Sequence, residues 1–255
     1  MTDGITCLKV GEGPRNIVFL HGIGADAFSF HHQMPFPKAR ATAWNMPGYQ
    51  GSKFEMPPTF DHLSDVLFDF IGERQSVHLV GQSIGGMIAL HHALRFPKQV
   101  LSLTLIATTS RFGGRDESFK QAFLKARLGA LDNGATMADI AAKSAPHLVG
   151  PNTAPDEIKH IEKALAAVPE PTWRRILNCL VTFDRADDLD QVECPTLMVA
   201  GSVDQNAPAK TMGKMAAKIP NARFHSMEGA GHMPHQENPK LFNTLLNDFL
   251  DEVTK

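Results

Sequence analysis

A single serine, Ser83, lies between Gly81 and Gly85 in the sequence VGQSIGG. A serine hydroxyl is a weak nucleophile, so it needs a neighbouring base to take its proton and a backbone that exposes its oxygen. The pattern G-x-S-x-G exposes the oxygen in a sharp strand-to-helix turn, where bulkier neighbours would collide. An apolar run precedes Ser83 and a helical pattern follows it. This context favours a nucleophile, although the motif alone leaves a packing turn as the alternative.

A histidine and an aspartate later in the chain could together activate this serine. His232, in GAGH, follows the predicted strand Ala222–Ser226 and is the first choice for a general base. His235 is the second choice, and a surface histidine is the alternative. Asp204 comes four residues after another predicted strand and could fix the histidine tautomer, unless it belongs to an ordinary turn. The chain order Ser83, Asp204, His232 is the order expected for a strand-turn-helix serine site.

Acyl transfer also needs N–H donors for the negatively charged oxygen of the intermediate. The backbone N–H of Ile84 is one candidate, because the first N–H groups of a helix have no partner within it. The loop HGIGAD is the second source, since Gly22 and Gly24 permit a turn that points an amide inward. Ile23 is the predicted donor there, and a plain glycine turn is the alternative.

The elements that must position these residues alternate between short apolar runs and longer helical patterns. This alternation is typical of an α/β fold with a mostly parallel sheet flanked by helices. The run Ile5–Val10 could add an antiparallel edge strand. The other predicted strands are Asn16–Leu20, Ala41–Trp44, Val77–Val80, Val100–Ala107, Thr196–Ala200 and Ala222–Ser226. The predicted helices are Asp61–Ile71, Ile84–Phe96, Ala209–Lys218 and Pro239–Val253.

Strand patterns stop between the fourth and fifth of these parallel strands, Val100–Ala107 and Thr196–Ala200. Residues 110–190 are predicted to form a helical cap inserted into a core made of residues 1–109 and 191–255. Its expected helices are Glu117–Leu131, Met137–Ala145, Pro155–Ala167 and Pro171–Phe183. Four other aspartates lie near the end of this segment: Asp184, Asp187, Asp188 and Asp190. They are alternatives to Asp204 as the partner of the histidine only because they are aspartates, since none of them follows a predicted strand.

Composition excludes several other classes of protein. The 255 residues carry a net charge of −2, which lacks the basic surplus of a nucleic-acid-binding protein. No apolar run is long enough for a membrane span, and the first residues do not resemble a secretion signal, so a soluble cytoplasmic protein with a small-molecule substrate is expected. The sequence gives no indication of oligomeric state. The three cysteines are scattered, which favours free thiols.

No metal site is expected from the twelve histidines. The pairs His31/His32 and His91/His92 are adjacent in sequence, so their side chains are expected to point in different directions. The predicted chemistry at Ser83 requires neither a metal nor an organic cofactor.

Taken in order, five sequence blocks resemble the α/β-hydrolase family: FLHGIG, NMPGYQGS, VGQSIGG, MVAGSVDQNAP and GAGHMPHQENP. The resemblance implies a mostly parallel sheet with a helical cap. It also implies a triad of Ser83, Asp204 and His232, with Ile23 and Ile84 as oxyanion donors. One position departs from the pattern, because Asn45 stands where relatives often carry an acidic residue, and this affects only local loop bonding.

Within that family, the chain looks most like 3-oxoadipate enol-lactonases, carboxylesterases and meta-cleavage C–C hydrolases. The leading hypothesis is hydrolysis of a small carboxylic ester or lactone through an acyl-enzyme on Ser83. C–C hydrolysis of a ring-cleavage dienoate is the alternative, and it would need a cation near the substrate carboxylate. Arg174 and Arg175 are candidates for that cation, although their positions are more typical of a solvated helix face. A non-catalytic ligand receptor is a third hypothesis.

Overall fold

A seven-stranded sheet lies at the centre of the computed structural model, which describes residues 4–54, 57–113 and 116–254. The strand order is β1-β3-β2-β4-β5-β6-β7. Only β1 is antiparallel to its neighbour within these residues. The strands are β1 Cys7–Val10, β2 Arg15–Leu20, β3 Ala39–Trp44, β4 Val77–Gln82, β5 Val100–Ile106, β6 Thr196–Gly201 and β7 Ala222–Met227. The predicted α/β class, parallel sheet and antiparallel edge strand are confirmed.

Helices cover both faces of this sheet. They are α1 Phe60–Ile71, α2 Ile84–Arg95, α3 Glu117–Asp132, α4 Met137–Ser144, α5 Pro155–Ala166, α6 Glu170–Leu180, α7 Ala209–Ala216, α8 Pro234–Glu237 and α9 Pro239–Val253. Each helix predicted from sequence is present within a few residues of its expected bounds. The four-residue helix α8 was missed, because it is too short to show an apolar period. No helix in the described residues is long and apolar enough to cross a membrane.

Alternation along the strands divides the core into two layers. In β2, Val18 and Leu20 pack in the layer that contains α1 and α2, whereas Ile17 and Phe19 pack in the layer that contains α9. Successive side chains of a strand point to opposite faces, so a parallel strand buried on both faces is apolar throughout. This packing fixes the carboxyl ends of the strands along one edge, where the candidate site lies.

The inserted segment, residues 110–190, leaves the sheet after β5 and returns before β6 with α3, α4, α5 and α6 inside it. Its two ends meet at an antiparallel bridge between Arg111 and Asp184. The Arg111 guanidinium also lies 2.6 Å from the Asp184 carboxylate and 2.8 Å from that of Asp187. These two aspartates therefore lie at the neck of the insertion. Its status as a separate cap domain remains a prediction.

Backbones approach each other closely where β2, β4 and α2 meet. A Cβ atom on Gly81 would lie 2.3 Å from the carbonyl oxygen of Gly85, and one on Gly85 would lie 2.1 Å from that of Leu20. Both distances are far inside van der Waals contact, and the obstructing atoms belong to rigid backbone. Glycine is therefore required at both positions by packing, independently of any chemistry at Ser83.

We predict that Gly85→Ala lowers the free energy of unfolding by about 3 kcal/mol or more, because strand and helix must separate to admit the methyl group. Chemical denaturation measures this loss. Gly129→Ala, in α3, is the matched control, since a Cβ there meets no atom within 4 Å. The control should gain a few tenths of a kcal/mol from helix propensity. Equal stability of the two variants would contradict the packing account.

Candidate active site

Ser83 occupies the turn between β4 and α2 with φ 54° and ψ −120°. Few residues other than glycine adopt this conformation, and the surrounding structure must hold it in place. The Ser83 N–H donates to the carbonyl oxygen of Ile106 at 2.9 Å. The Ser83 carbonyl accepts from the Thr108 hydroxyl at 2.7 Å. The turn is thus fixed from β5 and the loop after it.

His232 and Asp204 form a direct hydrogen bond, with 2.8 Å between His232 Nδ1 and Asp204 Oδ2. The Asp204 side chain has no exposed surface. Burial would raise the pKa of Asp204, but the hydrogen bond and charge of His232 and the backbone N–H groups of Asn206 and Ala207 outweigh burial, so this pKa is lowered. An ionised Asp204 holds the proton on Nδ1 and leaves Nε2 available to a second partner.

The loop that carries His232 is bonded to both the sheet and the insertion. The His232 N–H donates to the Leu148 carbonyl at 2.7 Å. The His232 carbonyl accepts from Gln82 Nε2 at 3.0 Å. Because Gln82 directly precedes Ser83, its side chain ties the serine turn to the histidine loop.

Glu237, in α8, gathers the backbone of two segments around one carboxylate. It accepts from the N–H groups of Gly231, at 2.9 and 3.0 Å, and Met233, at 3.0 Å, on the histidine loop. In the insertion, it accepts from the Gly150 N–H at 2.6 Å and the Thr153 hydroxyl at 3.0 Å. Charge-assisted bonds of this kind are stronger than neutral ones. The carboxylate therefore fixes the histidine loop against the insertion.

We predict that Glu237→Gln lowers the free energy of unfolding by about 1.5–3 kcal/mol, because an amide has one acceptor oxygen and its NH₂ group faces N–H donors. Denaturant titration measures the loss, and hydrogen exchange should speed up at Gly150 and Gly231. Glu193→Gln is the matched control at an exposed position. An unchanged stability and exchange pattern in Glu237→Gln would show that the carboxylate does not hold these segments together.

The loop after β2 is positioned by His21 and Tyr49. The Met46 N–H donates to His21 Nε2 at 3.0 Å, so the proton lies on Nδ1, which donates to the Gly22 carbonyl at 2.8 Å. Burial lowers the pKa of His21 to about 4, and the ring is neutral at neutral pH. The Tyr49 hydroxyl donates to the Ile23 carbonyl at 2.8 Å. These bonds fix the peptide groups on both sides of Ile23.

Of the two predicted oxyanion donors, Ile23 lines the cavity described below. Ile84 is the first residue of α2, immediately after Ser83, which also lines the cavity. Among the described residues, no hydrogen bond occupies the backbone N–H of Ile23 or Ile84. Their role as oxyanion donors stays a prediction.

Asn45, where relatives often carry an acidic residue, bonds locally. Its Oδ1 accepts from the Ala27 N–H at 2.8 Å, and its Nδ2 donates to Thr6 Oγ1 at 2.9 Å. Only an amide both accepts and donates here without a change of protonation. Asn45 therefore fits this position through its two hydrogen bonds to neighbouring loops.

Ser83 and His232 line a single cavity of about 250 Å³ between the sheet edge and the insertion. The insertion contributes most of its apolar walls, including Phe123, Leu165 and Leu177. Mostly apolar pockets with a few convergent polar groups are typical of small-molecule sites. Such a cavity fits a small, largely apolar ligand with one reactive polar group.

Arg127, in α3, is a cavity residue that the sequence reasoning missed. Its guanidinium lies over the Phe123 ring, with 5.3 Å between Cζ and the centroid, and Nη2 lies 3.4 Å from Asn206 Oδ1. Burial lowers the pKa of Arg127 from its ordinary value. Within the described residues, no carboxylate forms an ion pair with it. The cavity therefore contains a partly desolvated cation that faces apolar walls.

The two arginines considered for C–C hydrolysis, Arg174 and Arg175, do not line the cavity. Arg174 bonds Glu170 at 2.8 Å and Asp132 at 2.7 Å on the surface of the insertion. Arg175 lies over the Phe54 ring, with 5.1 Å between Cζ and the centroid. Helix α6 turns its Trp173 and Leu177 face to the cavity, and the arginines project from its other sides.

Five histidines that the sequence singled out lie outside the site: His235, His91, His92, His31 and His32. The second-choice base, His235, is fully buried against Phe30, with ring centroids 4.8 Å apart. His91 and His92 bond different partners, as expected for adjacent residues. The expectation that His31 and His32 point apart is wrong, because their ring centroids lie 3.7 Å apart. They follow a 3₁₀ helix, where successive side chains do not alternate as they do in a strand.

The fold and this geometry define an α/β protein with a strained serine turn at the carboxyl edge of a parallel sheet. Residues 17–245 match the model of the alpha/beta hydrolase family. The chain belongs to that family.

Comparison with known proteins adds named relatives. The chain is 27% identical over 250 residues to a pimeloyl-[acyl-carrier protein] methyl ester esterase of Aeromonas hydrophila, covering 95% of this chain and 97% of that protein. It is 28% identical to the enzyme of the same name from Chromobacterium violaceum, covering 95% and 96%.

Solved structures show the same fold. An esterase from Thermogutta terrifontis superposes with a TM-score of 0.87 at 22% identity, covering 98% of this chain and 94% of that one. The enol-lactonase from Burkholderia xenovorans gives a TM-score of 0.86 at 19% identity, covering 97% and 96%.

Proposed function

We propose that this protein hydrolyses small carboxylic esters or lactones through an acyl-enzyme formed on Ser83. The observation that carries the proposal is the cavity itself. It brings the strained Ser83 turn together with His232, whose imidazole is bonded to a buried, ionised Asp204. Relatives that cover nearly the whole chain are named methyl ester esterases, which supports ester hydrolysis.

In this mechanism, His232 Nε2 takes the proton of the Ser83 hydroxyl as its oxygen attacks the ester carbonyl. Negative charge then develops on the carbonyl oxygen, where the N–H groups of Ile23 and Ile84 stabilise it. The imidazolium is stabilised by Asp204 and returns the proton to the departing alcohol oxygen. Water, deprotonated by His232, attacks the acyl-enzyme, and the proton passes back to Ser83 as the acid leaves. We also assign residues 110–190 as a cap that shapes the substrate side of the cavity.

We predict that Ser83→Ala lowers kcat for a small activated ester at least about 10³-fold, because no other group in the mechanism forms the acyl intermediate. Asp204→Asn should lower kcat at least about 100-fold, since the imidazole then loses its fixed tautomer. Steady-state kinetics on folded proteins measure both effects. Ser226→Ala, at an exposed position on β7, is the matched control and should retain full activity. Full turnover by Ser83→Ala would refute the nucleophile.

The Arg127 guanidinium narrows the proposed substrate class. A partly desolvated cation without a carboxylate partner favours a ligand that supplies negative charge. A carboxylate at the end of the substrate remote from the ester would form a charge-assisted bond with Arg127 while its apolar middle contacts the cavity walls. We therefore propose that the preferred substrates are anionic, such as half-esters of dicarboxylic acids or lactones that bear a carboxylate.

We predict that Arg127→Gln raises KM for a monomethyl ester of a dicarboxylic acid about 10–100-fold, which is the loss expected for one charged contact. Turnover of a neutral methyl ester of equal length should change little. Arg74→Gln is the matched control, since Arg74 is exposed in the turn after α1. Equal losses on the charged and neutral esters would contradict an anion contact at Arg127.

The second candidate function is C–C hydrolysis of a ring-cleavage dienoate. Such a substrate also carries a carboxylate, which could bind the Arg127 guanidinium in the same way. A synthetic dienoate assayed beside the half-esters separates the two reactions. The ester proposal predicts the higher kcat/KM for the half-esters, and a strong preference for the dienoate would overturn it. Tight binding of these compounds without turnover of any would instead identify a ligand receptor.

A further inference from the structure

Three side chains with metal-binding atoms converge outside the cavity, between the core and the insertion. His31 and His32 follow the 3₁₀ helix Ala27–Phe30, and Glu157 lies in the first turn of α5. One ligand atom from each of these residues lies within 4.8 Å of those from the other two. This is the only such group found among the described residues. The cluster therefore joins segments that are far apart in sequence.

Two of the three side chains, His31 and Glu157, present one atom to the centre while another atom is already bonded. His31 Nδ1 lies 3.0 Å from the Phe28 carbonyl oxygen, so its Nε2 is left for a ligand. Glu157 Oε1 accepts from Gln236 Nε2 at 2.9 Å, and Glu157 Oε2 lies 3.5 Å from His32 Nε2. Metal-binding histidines and carboxylates are usually oriented by such outer hydrogen bonds.

Glu157 is a nearly buried carboxylate with no lysine or arginine partner among the described residues. Its side chain is 10% exposed, yet its ion-pair partners among the described residues are imidazoles, His32 at 3.5 Å and His160 at 3.8 Å, rather than lysine or arginine. The His31 ring is stacked on Phe28, with centroids 4.6 Å apart and planes at 3°.

We propose that His31, His32 and Glu157 bind a first-row divalent transition metal ion, with zinc as the best fit. Two imidazoles and one carboxylate are typical zinc ligands, whereas calcium and magnesium prefer all-oxygen sites. Ligand atoms around tetrahedral zinc lie about 3.4 Å apart, and the candidate atoms lie within 4.8 Å of one another, so binding requires an approach of at most about 1.4 Å.

A metal ion at this cluster would cross-link the insertion to the core. The ligands His31 and His32 lie shortly after the loop that carries Ile23, whereas α5 supplies Ile161 and Leu165 to the cavity wall. The Leu165 side chain packs directly over Gly24, where an added Cβ would lie 2.9 Å from it. Bound metal would therefore hold this wall of the cavity against the predicted oxyanion loop.

Zinc titration of protein without a histidine tag, followed by calorimetry, tests the site. One zinc ion per chain is expected, with a Kd that rises at least about tenfold in His32→Ala and in Glu157→Gln. His62→Ala, in α1, is the matched control and should bind as the wild type does. Each variant is first checked for an unchanged circular dichroism spectrum.

A second readout tests the cross-link independently of affinity. Zinc at about 100 times its Kd should raise the Tm of the wild type by about 5 °C and slow hydrogen exchange in α5. Both effects should disappear in His32→Ala. The proposal is overturned if the wild type binds no zinc up to about 100 μM, or if His32→Ala and Glu157→Gln bind it with unchanged affinity.

Discussion

The structure depends on one backbone constraint, the left-handed turn at Ser83 where β4 passes into α2. Three backbones approach so closely at this point that Gly81 and Gly85 have no room for a side chain. The conformation of Ser83 is held by bonds from Ile106 and Thr108, and by the packing of α2 on the sheet. The turn exposes the serine and fixes the position of the Ile84 N–H that follows it. A general base must therefore lie within hydrogen-bond distance of the Ser83 hydroxyl.

Around this turn, single polar side chains connect segments that are distant in sequence. Gln82 bonds the histidine loop, Glu237 bonds that loop to the insertion, and His21 fixes the loop after β2. In a buried setting, such bonds are strong when every group is paired and costly when one is not. His21 stays neutral because it is buried, whereas Asp204 stays ionised because its hydrogen bonds outweigh its burial.

Much of the fold and part of the site were predictable from sequence, for local reasons. The strands were visible as apolar runs. Ser83, Asp204 and His232 were predicted as the site because each follows such a run, and their role stays a prediction. Arg127 was missed because nothing in the sequence of α3 shows that its arginine faces the cavity. The meeting of His31 and His32 with Glu157 depends on how the insertion packs, and that packing has no local sequence signal. The substrate preference depends on the same packing.

The central claim is that Ser83 carries the acyl group under the control of His232. Intact-protein mass spectrometry after treatment with a fluorophosphonate tests it most directly, since an activated serine alone reacts quickly with this reagent. We predict one adduct per chain, located by peptide mapping at Ser83, formed at least about 100-fold more slowly in His232→Gln. Rapid labelling at another residue, or labelling of Ser83 at the same rate in His232→Gln, would contradict the account.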